Sequence, residues 1–183
     1  MTTRWRSRRP RLRNLAGAAF LALIIFGAIT ARLFVWPDLQ PLPPRVDAVI
    51  ELGGPGDRDR VVLALARQQR SPVVIQSTFG ADVGTDRCLP PNPGVRVLCF
   101  HADPPTTRGE AEYIGQVAAR HHWRSIALVT TPDQAWRARL RVTRCFDGAV
   151  YVATAPLPGH DWFYWIPYQW AAITKALVFE RDC

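Results

Sequence analysis

Between Leu15 and Ala31 the chain runs for seventeen residues without a charged side chain, in Leu, Ala, Ile, Phe and Gly with a single Thr. A stretch of this kind is a candidate for insertion into a bilayer or for removal as a leader. Arg32 interrupts it and Leu33-Phe34-Val35-Trp36 resumes it. An arginine one turn from a helix end can carry its guanidinium to the headgroups, so the usable span is about 20 residues, the length a bilayer core requires. Trp36 suits the far interface, where an amphipathic ring is favoured. A cleaved signal peptide is the alternative. Its apolar region would be unusually long, and the small residues near Ala28 and Thr30 make a poor cleavage site, so a retained anchor over 15–36 is expected.

Charge sets the expected direction of that anchor. Arg4, Arg6, Arg8, Arg9, Arg11 and Arg13 precede the span, in a basic tip over 1–14, and no acidic residue appears before Asp38. Positive flanks stay in the cytoplasm, which predicts a single-pass protein of the cytoplasmic membrane, its N-terminus inside and residues 37–183 outside. With Arg32, residues 1–37 hold seven of the eight net positive charges, leaving +1 for everything after them. A nucleic-acid-binding domain, which needs its positive charge on the folded surface, is therefore not expected. A hydrophobic content of 48% also excludes a disordered chain. The use of one lysine against 22 arginines hints at GC-rich coding and a bacterial source. Pro37, Pro41, Pro43 and Pro44 make 37–44 a short extended linker, and the folded part follows over 45–183.

Cys88, Cys99, Cys145 and Cys183 are even in number, as an oxidising compartment favours for disulfides. Three pairings are open. Cys88–Cys99 is the most local and leaves Cys145–Cys183 to pin the C-terminus. Neither the cysteines nor His101, His121, His122 and His160 have metal-ligand spacing, so no metal is expected; zinc on Cys88, Cys99 and His101 is the minor alternative. His121 and His122 end a predicted helix, where a cation complements the dipole.

The domain alternates short apolar runs with amphipathic segments. Strands are predicted over 46–52, 73–77, 95–100, 125–130 and 149–153, and helices over 57–70, 107–122 and 132–145. The first helix carries Val61, Ala64 and Leu65 on one face. This alternation implies βαβ units and thus a doubly wound, Rossmann-like α/β fold with a parallel sheet of about five strands. The tail, Asp161-Trp162-Phe163-Tyr164-Trp165-Ile166-Pro167-Tyr168-Gln169-Trp170, leads into a further helix ending near Glu180. Packing over the sheet is the ordinary expectation for such an aromatic plate, and contact with lipid or a partner is the alternative. Lys175 and the proline argue against a second span.

Ligands of an open parallel sheet bind beyond the carboxyl ends of its strands, where helix N-termini gather. Three turns fall there. Gly53-Gly54-Pro55-Gly56-Asp57-Arg58 lets backbone approach an anion, with Asp57 as the helix cap, but lacks the full G-x-G-x-x-G pattern of a dinucleotide site, and no cofactor is expected. Thr107-Arg108-Gly109-Glu110 and Thr131-Pro132-Asp133-Gln134 both have capping-box spacing, which alone accounts for their polar residues. It does not account for Arg108 and Arg137, which the same turns bring to the same end of the sheet; guanidinium groups beside helix N-termini suit a phosphate or carboxylate. Arg137 can equally be one of several solvated arginines, with Arg139, Arg141 and Arg144.

The order of these motifs resembles the SanA/ElyC/YdcF envelope-protein family. A strand runs into Gly-Gly, a second ends in Ser77, a Thr-x-x-Glu-Ala helix start follows, and a further strand leads into Thr-Pro-Asp-Gln-x-x-Arg-Ala. The resemblance covers about residues 46–155. It implies a membrane anchor, a Rossmann-like domain and a role in envelope integrity or peptidoglycan-linked processes, with no secure reaction. It points to Gly53, Gly54, Arg60, Ser77, Thr107, Glu110, Arg137 and Ala138. The family often has Asn where this chain has Glu110, and His where it has Gln134, which removes the best general acid or base of the third turn. Glu51, Asp57 and Glu110 remain as acid–base candidates if their surroundings shift their pKa values. Ser77 has no nucleophile elbow and no evident His partner.

These features lead to the expectation of an envelope-facing protein that binds a phosphate- or carboxylate-bearing cell-wall precursor. Gly53, Gly54, Thr107, Arg108 and Arg137 would cradle the anion with Arg60, Ser77 and Gln134 nearby. Glu110, with Asp57, would orient a hydroxyl or water if group transfer occurs. The competing expectation is a non-catalytic scaffold whose aromatic C-terminal segment docks to an envelope protein partner.

Overall fold

The computed structural model describes residues 9–78, 88–90 and 93–183; Arg4, Arg6 and Arg8 of the basic tip and residues 79–87 of the long loop lie outside them. Five strands, β1 (Ala48–Glu51), β2 (Val73–Ser77), β3 (Arg96–Phe100), β4 (Ser125–Thr130) and β5 (Ala149–Thr154), form one all-parallel sheet in the order β3-β2-β1-β4-β5. Helices α2 (Arg58–Arg67), α3 (Thr107–His121) and α4 (Pro132–Cys145) connect strands, and α1 (Arg9–Thr30) and α5 (Trp162–Val178) flank the domain. The fold is the expected Rossmann-like α/β architecture.

Period-two alternation along β1 divides the core. Ala48, Ile50 and Leu52 face a cluster with Ile114 and Val117 of α3 and Ala135, Ala138 and Val142 of α4. Val49 faces the other side, with Val62 and Ala66 of α2 and with Val74, Ala127 and Val129. Both faces of the sheet are thus covered, which a buried parallel sheet requires. The α2 contact differs from the expected stripe: Val62 and Ala66 are buried, Val61 and Leu65 flank them, and Ala64 is exposed. The helix also ends short of Arg70, because Gln69 enters the left-handed region at φ 50°. Below the sheet, Asp47 accepts hydrogen bonds from the backbone N–H groups of Arg124 and Ser125, both at 2.8 Å, and so joins the start of β4 to that of β1.

The aromatic tail does not lie over the sheet. It is itself helical, with Pro167 inside α5, and it packs on the outer side of α4 because α3 and α4 already occupy that sheet face. Gln169, Ile173 and Ala176 are its buried side. Arg141 donates to the Glu180 carbonyl and carboxylate, and Arg144 donates to the carbonyls of Ala176 and Glu180. These cations complement the negative end of α5 and satisfy its last carbonyls.

Helix α1 continues through a π-helical turn, Ala31–Val35, and the segment Arg13–Val35 is long and apolar enough to cross a membrane, a property it shares with signal sequences. The turn is packed against α4, and Phe34 is 0% exposed, so the last part of the expected 15–36 span belongs to the domain interface. The cysteines pair as Cys88–Cys99 and Cys145–Cys183, with Cα separations of 5.8 and 4.9 Å. Mutual pairing of Cys88 and Cys99 leaves no thiolate pair for the minor zinc alternative.

Helices α3 and α4 pack in close contact at Gly115. A Cβ on Gly115 would overlap the Cys145 carbonyl, a backbone atom that cannot swing aside. Gly115→Ala is therefore expected to force the helices apart and cost about 1–3 kcal/mol in denaturant unfolding, despite the higher helix propensity of alanine.

Candidate functional site

The strand order reverses direction between β1 and its neighbours β2 and β4, which opens the switch point beyond the carboxyl ends of these strands. The residues that gather there are mainly polar and buried: Glu51 at the end of β1, Ser77 at the end of β2, Thr107 and Glu110 in the first turn of α3, and Thr130, Thr131, Asp133, Gln134 and Arg137 around the start of α4.

Arg58 sits at the centre of this group and is 2% exposed. Its guanidinium donates to the carbonyls of Leu52 and Gly53 at 2.6 Å and of Pro55 at 2.9 Å. It also donates to Thr131 Oγ1 at 3.3 Å and Gln134 Oε1 at 3.0 Å. Burial lowers its pKa to about 10 against the opposing pull of Glu110, Asp133 and Glu51. Arg58 closes the glycine turn read from the sequence and has no role among the expected site residues. One signal marks it: a cation at the first position of a helix is at the wrong end of the dipole, so another force must hold it there.

The glycine turn serves that guanidinium. A Cβ on Gly54, at φ +130°, would come within 2.8 Å of the Arg58 side chain. The Gly53 N–H, expected to meet an anion, donates to Glu110 Oε1 at 2.6 Å. Gly53 and Gly54 thus admit close approach by groups of this chain. Asp57 and Arg60 stand apart: both are exposed, and Asp57 caps α2 by accepting from the Arg60 N–H at 3.3 Å.

The capping-box readings are corrected in both turns. The α3 cap is Thr106, which accepts from Gly109 N–H; Thr107 lies one residue inside the helix, so its hydroxyl and the Glu110 carboxylate turn inward. Thr131 caps α4 without a side-chain bond, and Gln134 is drawn into the network instead. Thr107 Oγ1 accepts from Gln134 Nε2 at 3.1 Å and from Arg137 at 2.8 Å. Arg137 is not a solvated arginine: it is 8% exposed, and its Nε donates to Gln169 Oε1 at 2.8 Å. Gln169 in turn donates to Asp133 Oδ2 at 2.8 Å. Gln169 and Asp133 were not among the expected site residues, since Gln169 arrives from α5 across a distance the sequence does not display.

Among the described residues, Glu51 Oε2, Ser77 Oγ, Glu110 Oε2 and Asp133 Oδ1 are buried at this end of the sheet without a hydrogen-bond partner. Burial raises the pKa of Glu51 to about 8, reinforced by neighbouring Asp59. Burial also raises that of Glu110, opposed by the Gly53 N–H and by Arg58. Glu51 is therefore largely a neutral acid at pH 7, able to donate a proton or hydrogen bond to a ligand oxygen. Among the described residues no group of three or more His, Cys, Asp and Glu could hold a metal ion.

Outward from Arg137, a cleft of about 470 Å³ opens between α3, α4 and α5. Its walls include Thr107, Arg108, Arg137, Arg141, Tyr168 and Lys175. Arg108 is paired with Glu112 at 2.8 Å, and Glu180 engages both Arg141 and Lys175. Among the described residues no carboxylate lies within salt-bridge distance of Arg137, whose guanidinium stands 5.7 Å from the Tyr168 ring centroid. The structure thus joins Thr107, Gln134 and Arg137, places Arg108 at the cleft wall, and leaves Asp57 and Arg60 outside.

No family model matches the chain, and no curated protein and no solved structure matches it.

Two outcomes follow from the network. Replacing Arg58→Met leaves the Leu52, Gly53 and Pro55 carbonyls, the Thr131 hydroxyl and the Gln134 amide oxygen without their shared donor, so urea unfolding is expected to show a loss of about 3–5 kcal/mol. The second concerns pH. The folded-state pKa of Glu51, about 8, exceeds the ordinary 4.5, so the native state holds an extra proton between those values and stability falls as pH rises across that window. Glu51→Gln removes this contribution: the variant should match the parent near pH 5 and exceed it above pH 8 by about 2–4 kcal/mol, with a residual slope of the same sign from Glu110.

Proposed function

We propose that this chain is a single-pass envelope protein of the SanA/ElyC/YdcF type, with its N-terminus in the cytoplasm and its α/β domain outside. In this reading the domain binds a phosphate- or carboxylate-bearing cell-wall precursor. The observation that carries the ligand class is Arg137. A buried guanidinium fixed by Thr107 and Gln169, facing a cleft and lacking a carboxylate partner among the described residues, is a positioned charge awaiting an anion. Arg108, Arg141 and Lys175 add positive charge to the same walls. Glu51 and Glu110, rather than exposed Asp57, are the groups that could pass a proton to a ligand hydroxyl or to water. The resemblance in motif order supplies the envelope setting, and the cysteine pairs suit an oxidising compartment.

The scaffold alternative draws on the same turn. The Gly53 N–H is taken by Glu110, and Arg58 fills the space over Gly54, so this part of the ancestral cradle is closed. A scaffold needs the exposed aromatic side chains of α5 and not the Arg137 charge.

Titration of the full chain in detergent with inorganic pyrophosphate and with nucleotide-linked sugars separates the two. Binding that weakens about tenfold in Arg137→Gln and by a smaller factor in the partly exposed Arg108→Ser supports the anion site. Absence of binding by the parent, or affinity unchanged in both variants, overturns it.

A further inference from the structure

We propose that α5 is a second membrane contact: a monotopic helix lying in the headgroup–acyl boundary at the Trp36 end of the anchor. This rests on the reading of α1 as a retained anchor and adds a lipid surface that the reading does not contain.

The first argument is length. Phe34 is enclosed by the domain, so the part of the apolar segment free to meet lipid ends near Thr30. Leu15–Thr30 rises about 24 Å, against a hydrocarbon core of about 30 Å. A span too short for its bilayer draws flanking structure into the interface, here by about 6 Å.

The second is what flanks it. Trp170 of α5 stacks on Phe26 with ring centroids 5.3 Å apart, meets Phe34 edge-on at 5.4 Å, and donates from its indole N–H to Thr30 Oγ1 at 3.3 Å. Phe26 lies inside the apolar stretch, so the middle of α5 is held at the depth of the acyl chains. Phe163 and Leu177 share the Trp170 face at seven-residue spacing, and they are 89% and 44% exposed. Val178 widens that apolar surface, while Tyr164 and Tyr168, exposed farther round the same side, carry polar tips suited to headgroups. The buried flank of α5, Gln169, Ile173 and Ala176, faces the domain, where α5 packs on α4. An interfacial helix buries its apolar face about 5–10 Å, which matches the shortfall of the span.

The test uses the full chain in vesicles of phosphatidylethanolamine and phosphatidylglycerol, with the photoreactive benzoyl-phenylalanine placed singly at Phe163, at Leu21 inside the span, or at exposed Arg120 near the far end of α3. Phe163 makes too little contact for its replacement to unfold the domain. After irradiation, phospholipid adducts are read by mass. The proposal expects an adduct yield at Phe163 within about threefold of Leu21 and at least about tenfold above Arg120. Adducts at Leu21 with none at Phe163 overturn it while leaving the anchor intact. A cross-linked second copy at Phe163 in place of lipid also overturns it. No lipid adduct at either Phe163 or Leu21 overturns the anchor reading and this contact with it.

Discussion

The Arg58 guanidinium holds the switch point of the sheet together. Its donors reach the carbonyls that leave β1 and the side chains that begin α4, two segments that meet only because β1 and β4 are neighbours. A buried cation is costly unless its donors are satisfied, and here they are shared among carbonyls, a hydroxyl and an amide. That arrangement explains the glycines of the preceding turn, which leave room for the side chain, and its charge opposes the burial that raises the pKa values of Glu51 and Glu110. The polar residues of three chain segments are thereby fixed relative to one another before any ligand arrives.

Helix α4 carries this order outward. Its inner face packs on the sheet through Ala135, Ala138 and Val142, and its outer face presents buried Arg141 and half-buried Arg144 to α5. The turn after α1 packs on the same helix. Arg137 belongs to both layers, since Thr107 comes from the sheet side and Gln169 from α5. The position of the aromatic tail therefore bears on the charge at the cleft, although the two are far apart in sequence.

The architecture was legible because its signals are local. Apolar runs, amphipathic segments and the Arg-flanked span each declare themselves within a window of a few turns, and all five strands and the connecting helices appear where periodicity puts them. The site was legible only in part. Thr107, Glu110, Gln134 and Arg137 could be placed at the right end of the sheet, but their capping spacing suggested the wrong partners: Thr106, one residue earlier, takes the cap and frees the others to turn inward. The reach of Gln169 from α5, and the enclosure of Phe34, depend on how α4 is sandwiched, which no local pattern encodes. Arg58 left a trace in its unfavourable position at a helix start, yet its five acceptors lie on segments separated by more than seventy residues.

The unpaired atoms at the switch point bear on whether the pocket is merely a relic. Each buried polar atom without a partner costs about 1–3 kcal/mol, and Glu51, Ser77, Glu110 and Asp133 each present an atom with none among the described residues. A domain with no ligand gains stability by replacing such groups with apolar side chains of similar volume, as replacement of buried ion pairs commonly does. Burial raises the pKa values of Glu51 and Glu110 beside a guanidinium without a carboxylate partner among the described residues, and an occupant with donors and negative charge, as proposed above, would offset the stability cost of that arrangement. On that ground the proposed anion site is a better account of these residues than a decayed pocket, and it is compatible with the proposed membrane contact of α5, which uses other side chains.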